Sequence, residues 1–206
     1  MTPTSTDAVL AHLDADLDNA LERLFRLVRF QSVSTDPAYA PECRKAADWL
    51  ADDLGGIGFE ARVADTKGHP IVVGHHAGRD KDAPHLLFYG HYDVQPVDPI
   101  ELWEGDPFAP EIRTREDGGR YIHGRGAADD KGQLMTFVEA CRAWKSVAGA
   151  LPCRVTVLLE GEEESGGESL PPFLDAHRDE LSAGIALICD TGMFDPETPA
   201  ITTMLR

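Results

Sequence analysis

Basic residues are few in this sequence. There are 19 Lys and Arg against 36 Asp and Glu, which gives a formal net charge of −17 at pH 7. Nucleic-acid binding needs clustered basic side chains that displace counterions from phosphates, so this balance argues against a nucleic-acid partner. The sequence also lacks a stretch of about 20 apolar residues, the length of a membrane span, and its N-terminus is acidic where a secretory signal is basic and then apolar. We therefore expect a cytoplasmic protein without a nucleic-acid or membrane partner.

Cysteine is scarce as well, and its spacing disfavours the usual cysteine sites. The four cysteines, at positions 43, 141, 153 and 189, form no C-x-x-C pair and lie within apolar patterns. We interpret them as reduced core residues, with a structural zinc site or a disulfide framework as the disfavoured alternative. A chain of 206 residues with 42% hydrophobic residues suits one sizeable domain or part of a larger one.

The apolar residues that are present alternate between helical and extended patterns. A helical stripe opens near Thr6 and predicts one helix that buries Leu10, Leu13, Leu17, Leu21, Leu24 and Val28. A second helix follows Pro41 and stops at Gly55 and Gly56, and a third spans about residues 131–147. Extended patterns occupy residues 59–64, 71–74, 85–89, 155–159 and 185–189. The last three are nearly continuous apolar runs, which predicts strands buried by helices on both faces. This alternation predicts an α/β fold with a mostly parallel sheet flanked by helices.

Acidic residues and one histidine directly follow three of these predicted strands. His91 and Asp93 come after the third extended pattern, Glu163 and Glu164 after the fourth, and Asp190 after the fifth. Ligands of such sheets bind beyond the carboxyl ends of the strands, so we expect these side chains to converge. The alternative is that they are ordinary polar loop residues.

The spacing within each cluster also suits metal chemistry. His91 and Asp93 project from the same face if the chain is extended, so Asp93 can hydrogen-bond one ring nitrogen and make the other a better metal ligand. Adjacent Glu163 and Glu164 would point in opposite directions in an extended segment and could take different roles. A solvated acidic turn is the alternative for this pair.

Three segments with these residues resemble a known family. Residues 90–96, 124–132 and 160–167 resemble motifs of the M20 metallopeptidases in their amino acids, their order and their separation. The family hydrolyses amide bonds beside a free carboxylate, and residues 92–96 are most similar to its carnosinase-like dipeptidase branch rather than to the deacylases. The resemblance implies a catalytic α/β domain interrupted by a smaller lid or dimerisation domain. It also implies a small peptide substrate and a homodimeric full-length protein.

The resemblance further implies two divalent metal ions that share a water molecule. Zinc is the first expectation, with manganese or cobalt as alternatives. Residue by residue, His91 would bind the first ion, Asp129 would bridge both, Glu164 would bind the second, and Asp190 would complete the first.

Two further carboxylates would carry the catalytic roles. Glu163 would be the general base that takes a proton from the water, and Asp93 would orient His91. The family pattern also implies a cis peptide bond after Asp129.

The second ion lacks one ligand in this carry-over. The family supplies it as a downstream histidine, and His75 and His76 would point to opposite faces of a strand. We therefore expect residues 1–206 to be the N-terminal part of an M20-type catalytic domain without its lid, with residues 201–206 opening a further segment. By themselves they would bind at most one ion tightly and show no measurable dipeptide hydrolysis. The alternatives are a non-catalytic truncated α/β remnant that binds one metal or a partner, and an M20 deacylase.

Overall fold

The computed structural model describes residues 5–195 and 198, and it confirms the α/β fold class. The six α-helices among these residues are α1 Thr6–Ala15, α2 Leu17–Arg29, α3 Ala40–Ile57, α4 Lys131–Ala148, α5 Leu170–Ala176 and α6 Arg178–Leu181. The strands are β1 Glu60–Ala64, β2 Ile71–His76, β3 Leu86–His91, β4 Glu111–Thr114, β5 Arg120–His123, β6 Val155–Glu160 and β7 Ile185–Ile188. All five predicted strands and the second and third predicted helices are therefore present, whereas the predicted first helix is divided into α1 and α2.

One five-stranded sheet, in the order β1-β2-β6-β3-β7, forms the centre of the molecule. The pairs β3–β6 and β3–β7 are parallel, as predicted, whereas β1–β2 and β2–β6 are antiparallel, so the sheet as a whole is mixed. The carboxyl ends of β3, β6 and β7 consequently meet at one edge. Because β2 runs the other way, His75 and His76 end at the opposite edge, which removes them from the candidate site.

Helices cover both faces of the sheet. On one face α2, α3 and α4 contribute Leu27, Leu50 and Leu134, which pack in one cluster with Phe88 and Val157 of the sheet. Burial of these apolar side chains is the main favourable contribution to folding.

The opposite face is covered by two short helices. Phe173 of α5 and Leu181 of α6 pack against Val73 and Leu158. All six residues of β6 are buried, as predicted for a strand covered on both sides.

The burial predicted for β7 is wrong. All four of its residues are exposed, including Ile185 at 49% and Ile188 at 57%. The reason is its position, because β7 is the last strand of the sheet and pairs only with β3 among the described strands.

Two helix boundaries also differ from the prediction. The predicted first helix is interrupted at Asp16, whose carboxylate accepts hydrogen bonds from Asn19 at 2.6 Å and Arg23 at 2.7 Å. In the apolar stripe, Leu24 is buried but Leu17 is 46% exposed. The second helix continues through the predicted glycine stop and ends at Gly58, whose φ of 102° suits a residue without Cβ.

Several smaller features were not predicted or lie outside the predictions. The hairpin β4–β5 and helices α5 and α6 are short, and α5 opens with two prolines. Among the cysteines, all free, Cys43 and Cys141 are buried, whereas Cys153 and Cys189 are half-buried. Residues 201–206 lie outside the described part of the chain. Within that part, the helices are too short or too polar to cross a membrane.

Candidate functional site

The carboxyl edge of the sheet brings one histidine ring together with three carboxylates. His91 Nε2 lies 3.0 Å from Asp129 Oδ1, 3.8 Å from Asp190 Oδ2 and 4.0 Å from Glu163 Oε2. The histidine side chain is fully buried, while those of Asp129, Glu163 and Asp190 are 63%, 40% and 32% exposed. The ring nitrogen therefore lies at the floor of an acidic site that is open to solvent.

Asp93 is buried beneath this site and contacts two of its parts. Its buried carboxylate lies 3.3 Å from His91 Nδ1 through Oδ1, as the spacing predicts, and the backbone oxygen of Asp93 lies 3.1 Å from the same nitrogen. The same carboxylate also accepts the backbone N–H groups of Glu163 at 3.3 Å and Glu164 at 3.0 Å. One buried side chain thus orients both the imidazole and the turn that carries the two glutamates, and the sequence indicated only the first of these contacts.

The glutamate pair lies in a turn rather than in an extended segment. Residues Glu163–Ser165 form one 3-10 turn, so the extended geometry expected for this pair is wrong. Gly161, shortly before this turn, leaves room for the Tyr92 hydroxyl, because a Cβ there would lie 2.3 Å from that oxygen. The two carboxylates nevertheless diverge, since Gln95 Nε2 donates to Glu164 Oε2 at 2.8 Å while Glu163 faces His91.

One subset of these side chains has the compactness of a metal site. A ligand atom from each of His91, Glu163 and Asp190 lies within 4.8 Å of the other two. The predicted ligands Asp129 and Glu164 lie outside this subset, although Asp129 contacts His91 directly. The observed group therefore includes the predicted general base.

The charges of the site shift the pKa values of its members. Burial by itself would lower the pKa of His91, but the Asp93 contact and the surrounding carboxylates raise it to about 10. Burial, followed by the charges of nearby carboxylates, raises the pKa of Glu163, although His91 opposes this shift. The carboxylates around His91 therefore favour a positive charge at this position, either a proton on the ring or a bound cation.

Asp130 and Lys131, the two residues that follow Asp129, were not identified from the sequence as members of the site. Asp130 is fully buried, its Oδ2 accepts the His91 backbone N–H at 3.0 Å, and burial raises its pKa to about 7. Lys131 is also fully buried, and burial lowers its pKa to about 7. The Asp129–Asp130 peptide bond is cis, as the family pattern implies. The available signal was the run of three charged residues directly before an apolar helix.

A hydrogen-bonded pair, Tyr89 and Glu160, lies beside the glutamate turn. Glu160, 2% exposed at the end of β6, accepts a hydrogen bond from the Tyr89 hydroxyl at 2.5 Å. Burial raises the pKa of Glu160. The sequence hid this residue because it continues the apolar run of the strand.

Known proteins share both sequence and fold with this chain. The model of Peptidase family M20/M25/M40 matches residues 87–203, more than half of the chain. The Cys-Gly metallodipeptidase dug1 of Schizosaccharomyces pombe is 31% identical over an alignment of 214 positions, which covers 98% of this chain and 44% of that protein. The Beta-Ala-His dipeptidase of Homo sapiens is 30% identical over 97% of this chain and 41% of its own length.

The fold agrees with these sequence matches. The solved structure of the dipeptidase Dug1p from Saccharomyces cerevisiae has a TM-score of 0.81 at 24% identity, over 92% of this chain and 42% of that one. The chain thus spans less than half the length of these relatives. The resemblance carried by residues 90–96, 124–132 and 160–167 is confirmed, and the chain belongs to peptidase family M20/M25/M40.

Proposed function

We propose that this protein hydrolyses the peptide or amide bond of a dipeptide or similar small substrate with a metal-activated water. The observation that carries the proposal is the buried His91 Nε2 that faces Asp129, Glu163 and Asp190 at 3.0–4.0 Å. One imidazole nitrogen with carboxylate oxygens is a donor set that fits zinc, and it would also accept manganese or cobalt. The Cys-Gly and Beta-Ala-His dipeptidase names of the relatives support a dipeptide substrate.

The proposed ligand roles follow the family pattern. His91, Asp129 and Asp190 would hold one ion, and Asp129 with Glu164 would hold a second. The second ion would need one further ligand. Bound ions of this kind lower the pKa of a water molecule and polarise the substrate carbonyl. Residues 1–206 are then the N-terminal part of the catalytic domain, and the full-length protein is a homodimer.

Two carboxylates of the chain would serve the reaction without binding the first ion. Asp93 orients His91 through its Nδ1, which leaves Nε2 directed at the site. Glu163 takes a proton at its carboxylate and returns it to the leaving amine. Its raised pKa suits this role, because a base that cycles near neutral pH needs a pKa close to the working pH.

The proposal is tested by measuring hydrolysis of a dipeptide library by the full-length protein with added zinc or manganese. We expect hydrolysis, and we expect Glu163→Gln to lower kcat by about 100-fold or more while metal content is retained. Glu168→Gln, an exposed glutamate of the same acidic segment, is the matched control and should keep full activity. Full activity of Glu163→Gln, or no cleavage of any dipeptide by the metal-loaded protein, would contradict the proposal. Cleavage of N-acyl amino acids alone would identify a deacylase.

Metal binding by the chain should release protons. With a pKa of about 10, His91 is protonated at pH 8 in the apo protein, whereas a metal ligand must be neutral. We expect about one proton released per Co²⁺ bound at pH 8, with release declining as the pH rises through 10. Calorimetric titration in two buffers of different ionisation enthalpy measures this number. Equal apparent enthalpies in both buffers would show that His91 is already neutral.

A further inference from the structure

The segment that carries Asp129 is connected to β3 by a buried contact between Asp130 and the backbone of His91. Asp130 is fully buried, and its Oδ2 accepts the backbone N–H of His91 at 3.0 Å. Its Oδ1 has no hydrogen-bond partner within the described part of the chain. A hydrogen bond that a carboxylate accepts is stronger than one between neutral groups, and a buried one is not weakened by water.

Gly90 makes room for this contact. A Cβ at Gly90 would lie 2.9 Å from Asp130 Oδ2, which is closer than such atoms normally approach. The φ of Gly90 is not in the left-handed region, so backbone conformation does not require glycine there. The glycine is therefore explained by the space that the Asp130 carboxylate occupies.

Lys131 connects the same segment to the end of α2. Its fully buried Nζ donates to the backbone oxygens of Leu27 at 3.2 Å and Phe30 at 2.7 Å, at the C-terminal end of α2. No carboxylate lies within 4 Å of this ammonium group among the described residues. A lysine is rarely buried without a charged partner, so its burial indicates that the two carbonyl contacts matter to the protein.

Asp129, in contrast, is held mainly by its neighbours. Its side chain is 63% exposed, and its carboxylate contacts the His91 ring from a position 38 residues away in the sequence. Metal sites need their ligands held to within about 0.5 Å of the productive geometry. An exposed carboxylate reaches that precision only if its backbone is fixed by buried contacts.

We propose that Asp130 and Lys131 are positioning residues, which together form a buried clasp that holds the Asp129 carboxylate at the correct distance from His91 Nε2. The clasp consists of the Asp130 contact to His91 and the Lys131 contacts to the end of α2. This inference rests on the proposed function, because it takes His91 and Asp129 to be metal ligands.

The contact can be broken from both of its sides, which gives a specific test. Asp130→Ala removes the acceptor, whereas Gly90→Ala displaces it without removing any polar group. We expect each variant to lower the Co²⁺ affinity of the chain about 10–100-fold, as the loss of a residue that supports a metal ligand does. We also expect a change in the visible absorption of bound Co²⁺. The double variant should lose little more than the weaker-binding single variant, because both changes break one contact.

Conservative and control variants separate positioning from general stability. Asp130→Asn keeps an acceptor oxygen and should restore most of the affinity, and Lys131→Met should lower it while preserving side-chain length. Gly56→Ala and Asp52→Ala, in the exposed part of α3, are matched controls that should bind Co²⁺ as the parent chain does. If Asp130→Ala does not fold, Gly90→Ala and Lys131→Met carry the test.

The outcomes distinguish the clasp from the proposed function. If the parent chain binds Co²⁺ and the clasp variants bind it equally well with the same spectrum, the clasp is overturned and the metal site stands. Additive losses in the double variant would also overturn it, because Gly90 and Asp130 would then act independently. If the parent chain binds no Co²⁺, the metal site fails and the clasp fails with it.

Discussion

Asp93→Ala is expected to weaken binding of Zn²⁺ or Co²⁺ by about 10–100-fold and to destabilise the fold by about 2–4 kcal/mol. The loss of affinity follows because His91 Nδ1 loses the negative carboxylate 3.3 Å away and keeps only the neutral backbone oxygen of residue 93, 3.1 Å away. The loss of stability follows because the backbone N–H groups of Glu163 and Glu164 lose their acceptor in a part-buried setting. Metal titration and urea unfolding of the same variant measure the two effects.

Two further variants show whether one side chain carries both effects. Asp93→Asn keeps an acceptor oxygen and the side-chain volume, so its loss of stability should be smaller than that of Asp93→Ala. Asp190→Ala removes a half-exposed carboxylate 3.8 Å from His91 Nε2, so it should weaken metal binding without a comparable loss of stability. A stable Asp93→Ala protein with unchanged metal affinity would remove Asp93 from the site.

Glu139→Ala is expected to destabilise the fold by about 3 kcal/mol, independently of any metal. Glu139 is 10% exposed, accepts two hydrogen bonds from Arg23 at 2.7 Å, and contacts Arg142 at 3.2 Å. Arg142 also donates to Asp53 at 2.6 Å, so the network joins α2, α3 and α4. Without Glu139, two largely buried guanidinium groups lose a shared counter-charge.

An exposed ion pair of the same kind is the control. Glu22 pairs with Arg29 at 2.8 Å, but these side chains are 67% and 49% exposed. Exposed pairs contribute at most about 1 kcal/mol, so Glu22→Ala should change the free energy of unfolding by less than that. If both variants lose the same stability in urea, the buried network has no special role.

The secondary structure was predictable wherever apolar runs were long and strongly patterned. Helices α3 and α4 and all five strands of the sheet follow from such runs, because burial against a neighbour imposes the period. The hairpin β4–β5 was missed, since each strand has only four residues and Ile112 is 42% exposed. The break at Asp16 was missed for a different reason, because its carboxylate accepts a hydrogen bond from Arg23, about two helical turns further along the chain.

The placement of the site at the carboxyl edge was also predictable. His91, Asp93, Glu163 and Asp190 directly follow predicted strands, and parallel neighbours end together. The turn at Glu163 was not, because it depends on acceptance of two backbone N–H groups by a carboxylate 70 residues earlier.

The sequence by itself determined the fold class and the family, and it predicted that His91, Glu163 and Asp190 lie together at the carboxyl edge of the sheet. The reason is that periodicity, motif and the position of a residue after a strand are local properties. Only the tertiary structure decided how those side chains face one another. Asp93 beneath the glutamate turn, Asp130 against the backbone of His91 and Lys131 at the end of α2 are contacts between segments 39 to 104 residues apart. Such contacts depend on packing between elements, which no local pattern records.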